Sequence, residues 1–111
     1  MSSDLSSRLR MQVTLAIFSG CGCDETMAAA DNDARLAGLT GAEIDQALAG
    51  SSFSARESAA VSLACAMKSG NRNDVAAARA RAETFGLCPV EIQQVEDLVR
   101  ALLHKLEHLH D

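Results

Sequence analysis

Displaced by 48 residues and laid on itself without gaps, the first half of the chain aligns with the second. Identical pairs include Ser6/Ser54, Arg8/Arg56, Val13/Val61, Leu15/Leu63 and Ala16/Ala64. They continue through Ala28/Ala76, Ala34/Ala82, Gly38/Gly86, Leu39/Leu87, Glu43/Glu91, Ile44/Ile92 and Gln46/Gln94. Alanine matches carry little weight in an alanine-rich chain, but the shared Gly-Leu-x-x-x-Glu-Ile-x-Gln carries a good deal. Self-similarity at one fixed period means one supersecondary unit used twice. The sequence therefore predicts a single domain over 1–111, built from two copies of a three-helix unit at about 3–50 and 51–98.

The predicted fold class is all-α. Apolar residues make up 48% of the chain, mostly Ala, Leu and Val, with one Pro and no Trp or Tyr. Such a composition favours helix over strand. The first helix is expected over 5–18, with Asp4 as N-cap and Leu5, Leu9, Gln12/Val13 and Ala16/Ile17 as its buried stripe. The second runs from Asp24 to Ala37 and stops at Gly38, with Asp31 and Asp33 facing water. Thr40-Gly41-Ala42-Glu43 reads as a capping box opening a short third helix that ends near Gly50. Ser54-Ala55-Arg56-Glu57 reads as a second box, opening a helix that stops before Gly70. A polar turn is expected over 70–74, then a helix from about Asp74 to Phe85. Cys88, Pro89 and Glu91 fit the N-cap, N1 and N3 positions of a last helix that reaches Leu109 and buries Ile92, Val95, Val99, Leu102/Leu103 and Leu106.

The scaffold presents one chemically distinctive corner, Ser19-Gly20-Cys21-Gly22-Cys23-Asp24-Glu25-Thr26. It holds the only closely spaced cysteines, and it occurs in the first copy alone, since positions 69 and 71 are Ser69 and Asn71. A reactive cysteine must be a reachable thiolate. Cys23 stands at the start of the second helix, where unpaired N–H groups favour an anion, while Asp24 and Glu25 oppose it. No His or Lys stands nearby in sequence to serve as a base. A Cys-x-Cys disulfide closes a small, readily reduced ring, which suits a redox couple. The competing reading is that both residues are small, soft side chains packed at a tight corner. Cys65 is expected as a core thiol, and Cys88 as a cap or surface residue.

Other classes are disfavoured. A net charge of −5 and the lack of a basic patch argue against nucleic acid. No run approaches the ~20 apolar residues of a membrane span. Arg8, Arg10 and the apolar run to Phe18 ahead of Cys21 faintly suggest a lipoprotein cleavage site. The run is short, Gln12 and Thr14 interrupt it, and it mirrors an internal helix at 54–66. Four cysteines without a convincing export signal point to reduced thiols and a cytoplasmic setting. No cofactor or metal is expected. His104 and His108, with His110 after them, share a helix face and could hold a metal between subunits; their H-x-x-E-H spacing matches one zinc protease class, but a protease is not expected because no third ligand follows, and imidazoles also suit a helix C-terminus.

The apolar helix ending at Cys21-Gly22-Cys23, the segment Ala34-Arg35-Leu36-Ala37-Gly38-Leu39-Thr40 with Glu43-Ile44, and Phe53-Ser54-Ala55-Arg56-Glu57 resemble the alkylhydroperoxidase D/carboxymuconolactone decarboxylase family, from about Val13 to Leu106. The resemblance implies an all-helical fold, a trimer or hexamer, and a thiol peroxidase or disulfide reductase working through Cys21 and Cys23. Family peroxidases use Cys-x-x-Cys, a His four residues later, and a Glu on the preceding helix. Counting from Gly38-Leu39 puts these cysteine and histidine positions at Cys23, Thr26 and Ala30; starting at Cys21 puts them at Cys21, Asp24 and Ala28. The first helix has no carboxylate between Leu5 and Gly22. Two further readings stand beside the peroxidase: a non-catalytic binding or assembly module, and a decarboxylase of a small acidic lactone, which the net negative charge would repel.

Overall fold

A computed structural model describes residues 7–19, 24–50, 52 and 54–109. All regular structure among them is helical: α1 (Ser7–Phe18), α2 (Asp24–Leu36), α3 (Gly41–Leu48), α4 (Ala55–Ser69), α5 (Arg72–Thr84) and α6 (Pro89–Leu109). The start expected for the first helix and its Asp4 cap lie outside the described residues, as does Phe53.

The centre of the fold is α1, which packs on α2, α3, α4 and α6. Its burial is correspondingly wide. Leu9, Gln12 and Val13 are buried, and so is every residue from Leu15 to Phe18. A single stripe was expected, and Leu15 and Phe18 lie beyond it. A helix with neighbours on most sides keeps only a narrow polar strip, here Ser7, Arg10 and Thr14. The second long core element, α4, buries Ala59, Ala60, Val61, Leu63 and Ala64 and packs on α1, α5 and α6. Each fully buried Leu or Val contributes about 1.5–3 kcal/mol relative to exposure. Alanines at Ala34, Ala47, Ala60, Ala64 and Ala82 are fully enclosed and let the helix backbones approach closely.

Several features recur at the 48-residue spacing. Residues Asp24–Leu36 of α2 correspond to Arg72–Thr84 of α5, and α3 and α6 start at Gly41 and Pro89. After α2 and α5 the chain turns through Gly38 (φ 99°) and Gly86 (φ 97°), a left-handed backbone that L side chains rarely adopt. The N–H groups of Leu39 and Leu87 donate to the carbonyls of Ala34 and Ala82, each at 3.0 Å. Arg8 pairs with Glu43, and Arg56 pairs with Glu91. The halves differ in length at their ends: α6 continues well past the counterpart of α3 and packs along α1.

Two local expectations need correction. The polar turn is shorter than 70–74, because Asn71 caps α5. Its Oδ1 accepts from the N–H groups of Asn73 (2.9 Å) and Asp74 (3.2 Å), so the helix starts at Arg72. Thr40 forms a full capping box with Glu43, but Ser54 caps α4 only one way, accepting from the Glu57 N–H. The Glu57 carboxylate is drawn off instead by the buried Gln12 amide of α1, which donates to it at 2.6 Å. Asp31 faces water as expected and pairs there with Arg35 one turn on.

Candidate functional site

Cys21 and Cys23 lie outside the described residues, and so do Gly20 and Gly22 between α1 and α2. The described chain on either side is held by tertiary contacts. The Ser19 N–H continues the helix by donating to the Leu15 carbonyl at 2.9 Å. The Ser19 hydroxyl donates to the Leu48 carbonyl at the end of α3, at 3.0 Å. The Ser19 carbonyl accepts from the Lys68 ammonium of α4, at 2.7 Å. The exit from α1 is thus tied to two other helices, and a cation stands at it. On the far side, α2 begins at Asp24, directly after Cys23 in sequence.

A cavity of about 300 Å³ takes its walls from both sides of this bend. Thr14 and Phe18 come from α1, Glu25, Thr26 and Asp33 from α2, and Lys105 from α6. The Lys105 ammonium lies 5.8 Å from the centre of the Phe18 ring, within cation–π range. Among the described lining residues the carboxylates of Glu25 and Asp33 outnumber the Lys105 ammonium, a small net negative charge. A neutral solute meets no electrostatic barrier there, whereas an anion does.

The second half has a cavity of about 410 Å³ at the corresponding place. Its Ser62, Ala66, Asp74, Ala77, Ala78 and Arg81 stand 48 residues after Thr14, Phe18, Thr26, Ala29, Ala30 and Asp33. Arg81 therefore replaces Asp33, and a small alanine replaces Phe18. No described residue of α6 lines this second cavity, whereas Leu102 and Lys105 line the first.

Cys65 lines that second cavity and is half-buried, not sealed in the core as expected. Burial pushes its thiol up, and the Lys68 charge only partly offsets this. Cys88 is exposed, as the sequence suggested, and both are free thiols. Its N–H donates to Glu91 Oε1 at 3.2 Å, giving the reverse half of a cap at the start of α6. His104 is exposed on the last turns of α6, while the side chains of His108 and His110 are outside the described set. Among the described residues, no group of three His, Cys, Asp or Glu is placed to hold a metal ion. No described helix is long and apolar enough to cross a membrane.

Sequence reasoning missed the two lysines. Lys68 is 49 residues from Ser19, and Lys105 lies on the last helix, so linear proximity gave no sign of either. It also missed Glu96, which falls inside the apolar stripe of α6, is 4% exposed, and pairs with Arg79 of α5. A carboxylate on the buried face of an amphipathic helix was the available signal. In comparisons with known protein families, curated proteins and solved structures, nothing matches this chain.

Proposed function

We propose that the protein is a thiol-dependent peroxidase or disulfide reductase of the alkylhydroperoxidase-like kind, on a duplicated three-helix framework. Cys23 is the attacking thiolate and Cys21 the resolving thiol. One observation carries the reading: the cavity of about 300 Å³ is walled by Phe18 and by Glu25 and Thr26, which flank the cysteine pair in sequence. Lys68 holds the Ser19 carbonyl, two residues before Cys21 in sequence, and Lys105 lines the cavity opposite the carboxylates of Glu25 and Asp33; the local sequence offers no cation of its own. Positive charge favours the thiolate.

The chemistry balances as follows. The Cys23 thiolate attacks one peroxide oxygen; an S–O bond forms as the O–O bond breaks, and the alkoxide leaves and takes a proton. Cys21 then attacks the sulfenic sulfur, an S–S bond forms, and the hydroxyl departs as water with the Cys21 proton. An external dithiol restores both thiols by exchange. The net acidic cavity favours a neutral peroxide over an acidic lactone, which weighs against the decarboxylase. Leu36, Phe85 and Val90 are exposed apolar side chains that a homo-oligomer, a trimer or hexamer, would cover. A non-catalytic module is the second reading, favoured by the absence of any histidine among the described residues lining the cavity.

The test is thiol counting in the native protein after one equivalent of an alkyl hydroperoxide. Paired loss of two thiols, with Cys65 and Cys88 still titratable, is expected, and Cys23→Ser should abolish it. A Cys23→Ser protein that consumes peroxide at the native rate sinks the assignment and leaves the module.

A further inference from the structure

The cleft between the end of α4 and the start of α5 has the build of a small ligand site. It encloses about 310 Å³ and is lined by Met67, Gly70, Arg72, Val75, Ala76 and Arg79. Met67 and Val75 are half-buried and pack against the core, giving one apolar wall. Two guanidinium groups stand on the other. Arg79 already neutralises the buried Glu96 through its Nη2, while its side chain stays about half exposed, leaving further N–H donors. Arg72 is exposed and makes no ion pair among the described residues. The N–H groups of Asn73 and Asp74 are occupied by the Asn71 cap, so the arginines, not the helix end, supply the attraction. Asp74 lines the other cavity, beside Arg81.

The repeat sharpens the point. In the 48-residue alignment the cleft's Arg72 and Arg79 stand where the first half has Asp24 and Asp31. The charge is reversed at both positions. With Arg79 balanced by Glu96, one net positive charge remains beside an apolar wall. That pattern suits a monoanion with a short alkyl tail better than a multiply charged phosphate. The volume sits at the small end of ligand pockets, and a guanidinium matches a carboxylate in two-point hydrogen bonding.

The geometry points to this cleft as a binding site for small amphipathic carboxylates, with Arg72 holding the carboxylate and Met67, Val75 and Ala76 lining the tail. The site is independent of the cysteine chemistry. The experiment is an amide-shift titration of the 15N-labelled full chain with hexanoate, and with hexanol and hexylammonium as controls. Hexanoate should give saturable shifts centred on Met67, Val75 and Ala76. Arg72→Gln should weaken it by about tenfold or more, the loss of a charge-assisted contact. Ala76→Glu, at an exposed helical position, should abolish binding with an unchanged far-UV spectrum. Shifts that map elsewhere, no saturable shifts, hexanol binding as tightly as hexanoate, or an unimpaired Arg72→Gln protein would each overturn the proposal.

Discussion

Replacing Arg79 by Met isolates the cost of leaving Glu96 buried without its counter-charge. The Glu96 side chain is 5% exposed and that of Arg79 is 49%, and the pair joins α6 to α5. Methionine keeps most of the aliphatic stem and the helix propensity, so packing changes little. Removing one partner of a fully buried pair costs about 3–5 kcal/mol. Because Arg79 is half in water, the figure is discounted to about 2–3 kcal/mol. That is a large share of the ~5–15 kcal/mol expected for a whole domain. With a urea slope of ~1–2 kcal/mol/M, the midpoint should fall by about 1–3 M. The companion variant, Glu96→Leu, removes the buried charge itself and should stay within about 1 kcal/mol of the parent. Urea unfolding followed by circular dichroism at neutral pH measures both. A loss below about 0.5 kcal/mol for Arg79→Met would refute the reasoning. So would Glu96→Leu losing as much as Arg79→Met, because the penalty would then not come from an uncompensated charge.

Two further outcomes follow from the same structure. The Glu43 carboxyl is held below its usual range by the Thr40 N–H and by Arg8, against some burial. At Glu91 burial pushes upward, but the Arg56 hydrogen bond and the Cys88 N–H prevail and lower it. A carboxylate lowered on folding stabilises the native state above its unfolded value and loses that contribution as pH falls through the folded one. Thermal stability should therefore drop below about pH 4.5, and the double variant Glu43→Gln, Glu91→Gln should flatten that slope in melts from pH 3 to pH 6. For the thiols outside the bend, exposed Cys88 should react with a disulfide reagent well before Cys65, whose thiol burial pushes up. Mass mapping of partially labelled native protein reads the order, and equal rates would contradict the burial of Cys65.

The helical class, the stops at Gly38, Gly70 and Gly86, the Thr40 capping box and the apolar face of α6 were all legible in the sequence. Each rests on interactions within one turn or one helix, so residue type and spacing suffice to specify them. The same holds for Cys88 at the start of the last helix. Tertiary structure alone decided the rest. It took Glu57 away from its local cap to meet Gln12, and it enclosed Glu96 against Arg79. It buried α1 on more than one face. It brought Lys68 to the Ser19 carbonyl and Lys105 over Phe18, from the opposite end of the chain. Charge and burial act through space over several ångströms, and a linear reading has no measure of which distant side chains come within that reach.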